Sequence, residues 1–173
     1  TIPSTDGVTL AGVVVERPHA KGTVILCHGF RGDKERMVRF LPLFTQYNLV
    51  LFDFRSSGES SGDYSSIGCH EWQDVACVIE FVKQHSTLRT VKHRIIFGTS
   101  MGAAAAIKAA AMQEDLACAL ILDSPYACLR EEIAHVFCMF SGLPYYPFFP
   151  VMMRMFTRFW QVEDLDMRPE EYI

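Results

Sequence analysis

The sequence predicts a three-layer α/β/α sandwich, a mostly parallel sheet with helices on both faces. Three observations predict it. Short apolar runs recur at 23–27, 49–52, 94–97 and 117–122 and read as strands, the first of them suited to burial on both faces of a parallel sheet. Segments with helical or loop character separate them, so the order reads βαβαβαβ. At one strand-to-helix junction the chain reads Gly98-Thr99-Ser100-Met101-Gly102, a serine flanked by glycines where the chain must turn sharply.

The elements follow in order. Residues 8–16 read as a strand with a bend at Gly12, and 23–27 as the first buried strand. The sequence His28-Gly29-Phe30-Arg31-Gly32-Asp33 is a polar loop. Met37, Phe40, Leu41 and Phe44 share one face of a predicted helix over 34–47. Residues 49–52 form the next strand, and 55–68, rich in Ser and Gly, a loop. A helix is predicted over 69–85, with Trp72, Ala76, Ile79 and Val82 inward. Strand 94–97, helix 101–112 and strand 117–122 complete the core. Beyond Tyr126, residues 129–140 have the pattern of an amphipathic helix. Pro144, Pro147 and Pro150 then argue against a helix over the next stretch. The Met- and aromatic-rich segment that follows suits a cap over the sheet, a substrate-pocket wall or a membrane-surface patch.

Composition narrows the function classes. The chain has 173 residues, half of them hydrophobic, and a net charge of −4, enough for one sizeable core. No basic patch is present to track phosphates, which argues against a nucleic-acid partner. No apolar run reaches spanning length without interruption, and the N-terminus shows no signal-peptide pattern. The chain does not start with Met, which leaves room for an upstream segment. Cys27, Cys69, Cys77, Cys118, Cys128 and Cys138 form no C-x-x-C pair and read as free thiols of a reducing, cytoplasmic compartment. No His, Cys, Asp and Glu grouping has metal-ligand spacing, so no metal is expected.

These residues together resemble the α/β-hydrolase superfamily, in its serine-aminopeptidase-like and monoacylglycerol-lipase-like branch. His28-Gly29-Phe30 resembles the H-G-x loop after the family's third strand. Asp53-Phe54-Arg55-Ser56-Ser57-Gly58-Glu59-Ser60 resembles the loop after the fourth, with Ser56 in place of the usual glycine. Gly98 to Gly102 resembles the nucleophile elbow, and Leu122-Asp123-Ser124-Pro125 the end of the sixth strand. The resemblance implies Ser100 as nucleophile, the backbone N–H groups of Phe30 and Met101 as oxyanion hole, His28 and Gly29 as support of the oxyanion loop, and Gly98 and Gly102 as the glycines of the elbow. It implies residues 1–125 as an incomplete core and 126–173 as a cap leading to missing C-terminal strands.

The family places its acid after the seventh strand and its histidine after the eighth, and this sequence ends where the seventh should begin. The sixth strand is therefore expected to be an open edge, inviting association. Within the chain, Asp123 is the candidate acid, with turn capping as its alternative role, and His135 the candidate base, with a helix-face role as its alternative. His70, His85 and His93 read as solvated. Arg55 is expected to pair with Asp53 and pin its loop, with Glu59 and Ser60 at the cleft mouth. The reading is a serine hydrolase of an ester, thioester or small amide with an apolar acyl group, needing no cofactor. The alternative is a catalytically silent fragment or a binding module.

Overall fold

The computed structural model describes residues 1–4, 6–160 (backbone only at 160), 162 and 165–172. Strands form where the apolar runs are. Strands β4 (Thr23–Cys27) and β5 (Asn48–Phe52) are buried along their whole length. With β3 (Gly12–Val15), β6 (Arg94–Thr99) and β7 (Ala119–Asp123) they build a sheet of order β3-β5-β4-β6-β7. Only β3 runs antiparallel to its neighbour; the rest are parallel. A two-stranded antiparallel ribbon, β1 (Ile2–Pro3) and β2 (Thr9–Leu10), lies outside this sheet. The predicted strand over 8–16 is thus two strands with different partners, broken at the bend.

Alternate residues of the strands face opposite layers, as the pleat requires. Ile25, Cys27, Val50, Phe52 and Ile96 join the core made with α2 (Glu71–Gln84) and α3 (Met101–Met112). Val24, Leu26, Leu49, Leu51 and Phe97 face Met37 and Phe44 on the other side. Here the predicted helix over 34–47 is one α-turn, α1 (Lys34–Met37), followed by a 3-10 helix over Val38–Phe44. Pro42 lacks the N–H that an α-helix would need and restricts the residue before it.

Two helices follow the sheet, α4 (Leu129–Ser141) and α5 (Tyr145–Trp160). The prolines do not forbid α5. Tyr146 has non-helical backbone angles, φ −105° and ψ 136°, so the helical stretch starts at Pro147. Both remaining prolines then fall in its first turn, where most N–H groups have no intrahelical acceptor anyway. Leu129, Ile133, Phe149, Met153 and Phe156 anchor the pair to the main core.

Strand β7 is the edge of the sheet among the described residues, paired to β6 alone. Its residues are exposed or half-buried, as the expected open edge implies. None of the six cysteines is in a disulfide; Cys27, Cys69 and Cys128 are buried, and Cys118 and Cys138 exposed.

The central position of β4 sets a stability prediction. Ile25 is fully buried there, so Ile25→Ala is expected to lower unfolding free energy by about 3 kcal/mol in urea titration. Val13→Ala on half-exposed edge strand β3 is expected to cost under about 1 kcal/mol.

Candidate active site

The site grows from the C-terminal ends of the parallel strands, where chain reversals expose backbone groups. Cys27 of β4 stands beside Gly98 of β6, and Thr99 beside Asp123 of β7. Ser100 follows β6 directly, at φ 50° and ψ −117°, a conformation a non-glycine residue holds only when its surroundings over-determine it. They do. The Ser100 N–H donates to the Asp123 carbonyl at 2.8 Å, and the Ser100 carbonyl accepts from Ala103 at 3.0 Å and Ala104 at 3.1 Å.

The two flanking glycines are sterically required. A Cβ on Gly98 would sit 2.6 Å from the Gly102 carbonyl oxygen and 2.7 Å from backbone atoms of Ala103. A Cβ on Gly102 would collide with the Cys27 carbonyl oxygen and sit 2.6 Å from that of His28. Helix α3 thus rests directly on the end of β4. Ala103 to Ala106 behind it are buried, small enough to keep that approach. Gly29 also packs tightly, its added Cβ lying 3.3 Å from the Ser100 Cβ.

His28 shapes the loop beside Ser100. It is fully buried. Its Nε2 accepts the Phe54 N–H at 3.0 Å, so its Nδ1 carries the proton and donates to the Gly29 carbonyl at 2.8 Å. The same carbonyl accepts from Gly32 at 3.0 Å. Burial lowers the His28 pKa, against the opposing pull of the Gly29 carbonyl and nearby carboxylates. With both ring nitrogens engaged and the proton disfavoured, His28 has no lone pair to offer Ser100. Phe30 is half-buried against the main core, and Met101 is buried. Among the described residues, no acceptor meets the N–H of Phe30 or of Met101.

Buried charges fix the surrounding loops. Asp53 does not pair with Arg55. Its carboxylate accepts from the Lys34 N–H at 2.7 Å, Lys34 Nζ at 2.8 Å and the Glu59 N–H at 2.9 Å. Burial opposes the charge, but these donors outweigh it and hold the Asp53 carboxyl below its ordinary value. Arg55 reaches the other way, with its backbone N–H and guanidinium on Asp74 of α2 and Nη1 on Asp6 at 2.8 Å. The predicted pair does not form because each group is already satisfied elsewhere, Asp53 by Lys34 and the Glu59 N–H, Arg55 by Asp74 and Asp6. Glu59 pairs with Lys34 at 2.8 Å. The Ser60 hydroxyl bridges the Asp53 carbonyl at 2.6 Å and the Ala11 N–H at 2.9 Å. Both serve this loop.

Sequence reasoning missed Lys34, Asp74 and Glu71. Glu71 is fully buried and accepts four hydrogen bonds, from the Ser65 and Ser66 hydroxyls and the Ser66 and Gly68 N–H groups. The Ser65 hydroxyl also reaches the Met101 sulfur at 3.7 Å. The available signal was a carboxylate in the first turn of a helix just after a Ser-Ser-x-Gly loop.

The candidate acid and base lie apart. The Asp123 side chain is exposed, and its Oδ1 accepts from the Ser124 hydroxyl at 2.9 Å. What it presents to Ser100 is its backbone carbonyl. His135 is exposed on α4. His93 lies near Cys118, at the opposite end of the strands. Among the described residues, no imidazole hydrogen-bonds the Ser100 hydroxyl, and no group of His, Cys, Asp and Glu could hold a metal.

Above the site, the Arg31 guanidinium stacks over the Phe140 ring of α4 at 4.6 Å. Ile67, Ile133, Val136, Phe137, Phe140 and Phe156 line most of an apolar groove of about 340 Å³. A hollow of about 450 Å³ runs along α2 from Trp72 to Gln84, closed by Ile2 and Gln113, and Ser100 does not line it.

A family profile described as serine aminopeptidase, S33 matches residues 18–166. The uncharacterized protein YqkD of Bacillus subtilis is 31% identical over 153 residues, 87% of this chain and 50% of that protein. The bem46 protein of Schizosaccharomyces pombe is 26% identical over 92% of this chain and 52% of its own length. The chain therefore spans about half the length of these curated relatives. The esterase Pf2001 of Pyrococcus furiosus superposes with a TM-score of 0.72 at 28% identity, covering 93% of this chain and 62% of that one. Est1E of Butyrivibrio proteoclasticus, solved with ferulic acid, gives 0.65 at 25% identity over 79% of this chain and 56% of its own.

A pH prediction follows from the buried imidazoles. Burial lowers the pKa of His28 and of half-buried His70, so both bind a proton less readily folded than unfolded, and unfolding takes up protons as pH falls through about 6.5. Stability is expected to be full above that pH and to fall as pH drops through it. Urea midpoints measured from about pH 7 to about pH 5 should show this slope, and His28→Gln should flatten it. An unchanged slope in the variant would contradict the assignment.

Proposed function

This chain belongs to the serine aminopeptidase family of α/β-hydrolases, and from that premise we propose that Ser100 is the nucleophile of an acyl-transfer hydrolase. The observation that carries the reading is the Ser100 turn. A serine held at positive φ, its own N–H engaged, heads a twelve-residue helix beside two unengaged amide N–H groups. Such a turn stores strain for a purpose: it lifts the hydroxyl off the sheet toward an incoming carbonyl.

In this reading Ser100 Oγ attacks the carbonyl carbon of an ester, thioester or small amide. The Phe30 and Met101 N–H groups hold the oxyanion, each typically worth about 3–4 kcal/mol, aided by the positive end of α3. The alcohol, thiol or amine leaves, and water then hydrolyses the acyl-enzyme. His28 keeps its proton on Nδ1 and fixes the Gly29 carbonyl, so that the following N–H keeps its direction. The histidine and acid of the mechanism come from sequence beyond Ile173, since serine needs a base near neutral pH. Residues 126–173 act as the cap, and the groove under α4 takes an apolar acyl group. The solved relative named an esterase, Pf2001, favours an ester. No cofactor enters. The exposed thiols of Cys118 and Cys138 fit a reducing compartment such as the cytoplasm.

One observation favours a second reading, a silent fold used for binding: no imidazole meets Ser100 among the described residues. Fluorophosphonate labelling decides between them. A longer protein that includes the C-terminal strands is expected to carry the adduct on Ser100, mapped by peptide mass spectrometry, and to lose it in Ser100→Ala. The 173-residue chain should react at least about a thousand-fold more slowly. A folded longer protein with no adduct, or one elsewhere, would favour the binding module.

A further inference from the structure

We propose that the outer face of α4 and α5 docks on an anionic phospholipid bilayer. The first observation is where exposed apolar side chains lie. Among the described residues, nine of the fourteen large exposed hydrophobics fall between Met139 and Phe159. The other five are scattered, as single exposed apolar residues ordinarily are. The patch is therefore one surface rather than incidental exposure.

The second observation is its geometry. Along α5, Phe149, Met153 and Phe156 are buried against the core, and Phe148, Val151, Met155 and Phe159 are exposed at helical spacing on the opposite side. One helix thus carries two apolar stripes, only one of which the protein uses. Tyr146, the most exposed of the patch at 78%, sits at the break between the helices, where α4 and α5 turn by 118°. Among the described residues no single helix is long and apolar enough to cross a membrane. The face suits helices lying in the interface, with aromatic rings at headgroup depth.

The third observation is charge. The whole chain has twenty acidic and sixteen basic residues, yet residues 133–160 contain no Asp or Glu and two arginines, Arg154 and Arg158. Both are exposed and run at i, i+4 along the flank of the exposed apolar stripe. Their apolar stems can lie along the exposed stripe while the guanidinium groups reach lipid phosphates. This complementarity selects an anionic bilayer over a second copy of the same face, which would offer no carboxylate to either arginine. Arg31, stacked on Phe140, connects the patch to the loop beside Ser100.

Flotation with phosphatidylcholine vesicles, with and without phosphatidylglycerol, tests the proposal by lipid binding alone, independently of any activity. The protein is expected to float with the phosphatidylglycerol vesicles and to dissociate as salt rises. Met155→Asp and Phe159→Asp, on exposed positions that leave the core intact, should each weaken binding at least tenfold. Arg154→Gln and Arg158→Gln should each weaken it about fivefold, the equivalent of about 1 kcal/mol per charge. Equal binding to both vesicle types, or no loss in the aspartate variants, would overturn the proposal. So would absence of flotation, whether the protein is monomeric or sedimentation velocity shows the patch consumed in a dimer. Flotation lost in a longer chain carrying the C-terminal strands would also overturn it, since protein would then cover the face.

Discussion

The contact on which the site depends is the one between Gly102 and the end of β4. Helix α3 comes so near the Cys27 and His28 carbonyls that no side chain fits between them. That approach places the first turn of α3 over the end of the central strand. It forces the chain between β6 and α3 to reverse within one residue, and that residue is Ser100. Gly98 makes room for the reversal from the strand side, and Asp123 of β7 ties down its amide. The positive φ of Ser100 is the consequence, held by three elements at once. Backbone strain of this kind costs about 1–3 kcal/mol, and the pairing of β4, β6 and β7 around it supplies the restraint.

A second layer of order is electrostatic. The loops after β4 and β5 have little apolar content of their own. Lys34 and Asp53 join them, Arg55 and Asp74 join the second loop to α2, and Glu71 gathers the Ser65–Gly68 turn under Met101. Every one of these carboxylates is buried and carries several donors. Removing a single partner from such a group is far costlier than the net worth of the pair. The geometry of the loops beside Ser100 is therefore specified by these buried charges.

The parts legible in the sequence were those where chemistry leaves few choices of residue. Glycines around a serine at a strand end, a histidine-glycine loop after a buried strand and uninterrupted apolar runs each have one dominant explanation. The strands of the sheet, α2, α3 and α4 followed from them. The partners of buried charges did not, because they are set by three-dimensional proximity: Asp53 finds Lys34 nineteen residues back, and Arg55 finds Asp74 nineteen residues ahead. The helix α5 was hidden because its prolines look prohibitive until their place in the first turn is known. The 3-10 segment over Val38–Phe44 was hidden for the converse reason, since its apolar spacing reads as α-helix and only Pro42 speaks against it.

The account's central claim is that the Ser100 turn is built and held by the core of this chain. Amide hydrogen exchange at Ser100 tests it most directly. The Ser100 N–H, bonded to the Asp123 carbonyl across the open edge strand, is expected to be protected to nearly the same degree as the amides of β4, opening only with global unfolding. Exchange at the rate of exposed loop amides in an otherwise folded sample would show that β7 does not hold the turn, and would contradict the claim.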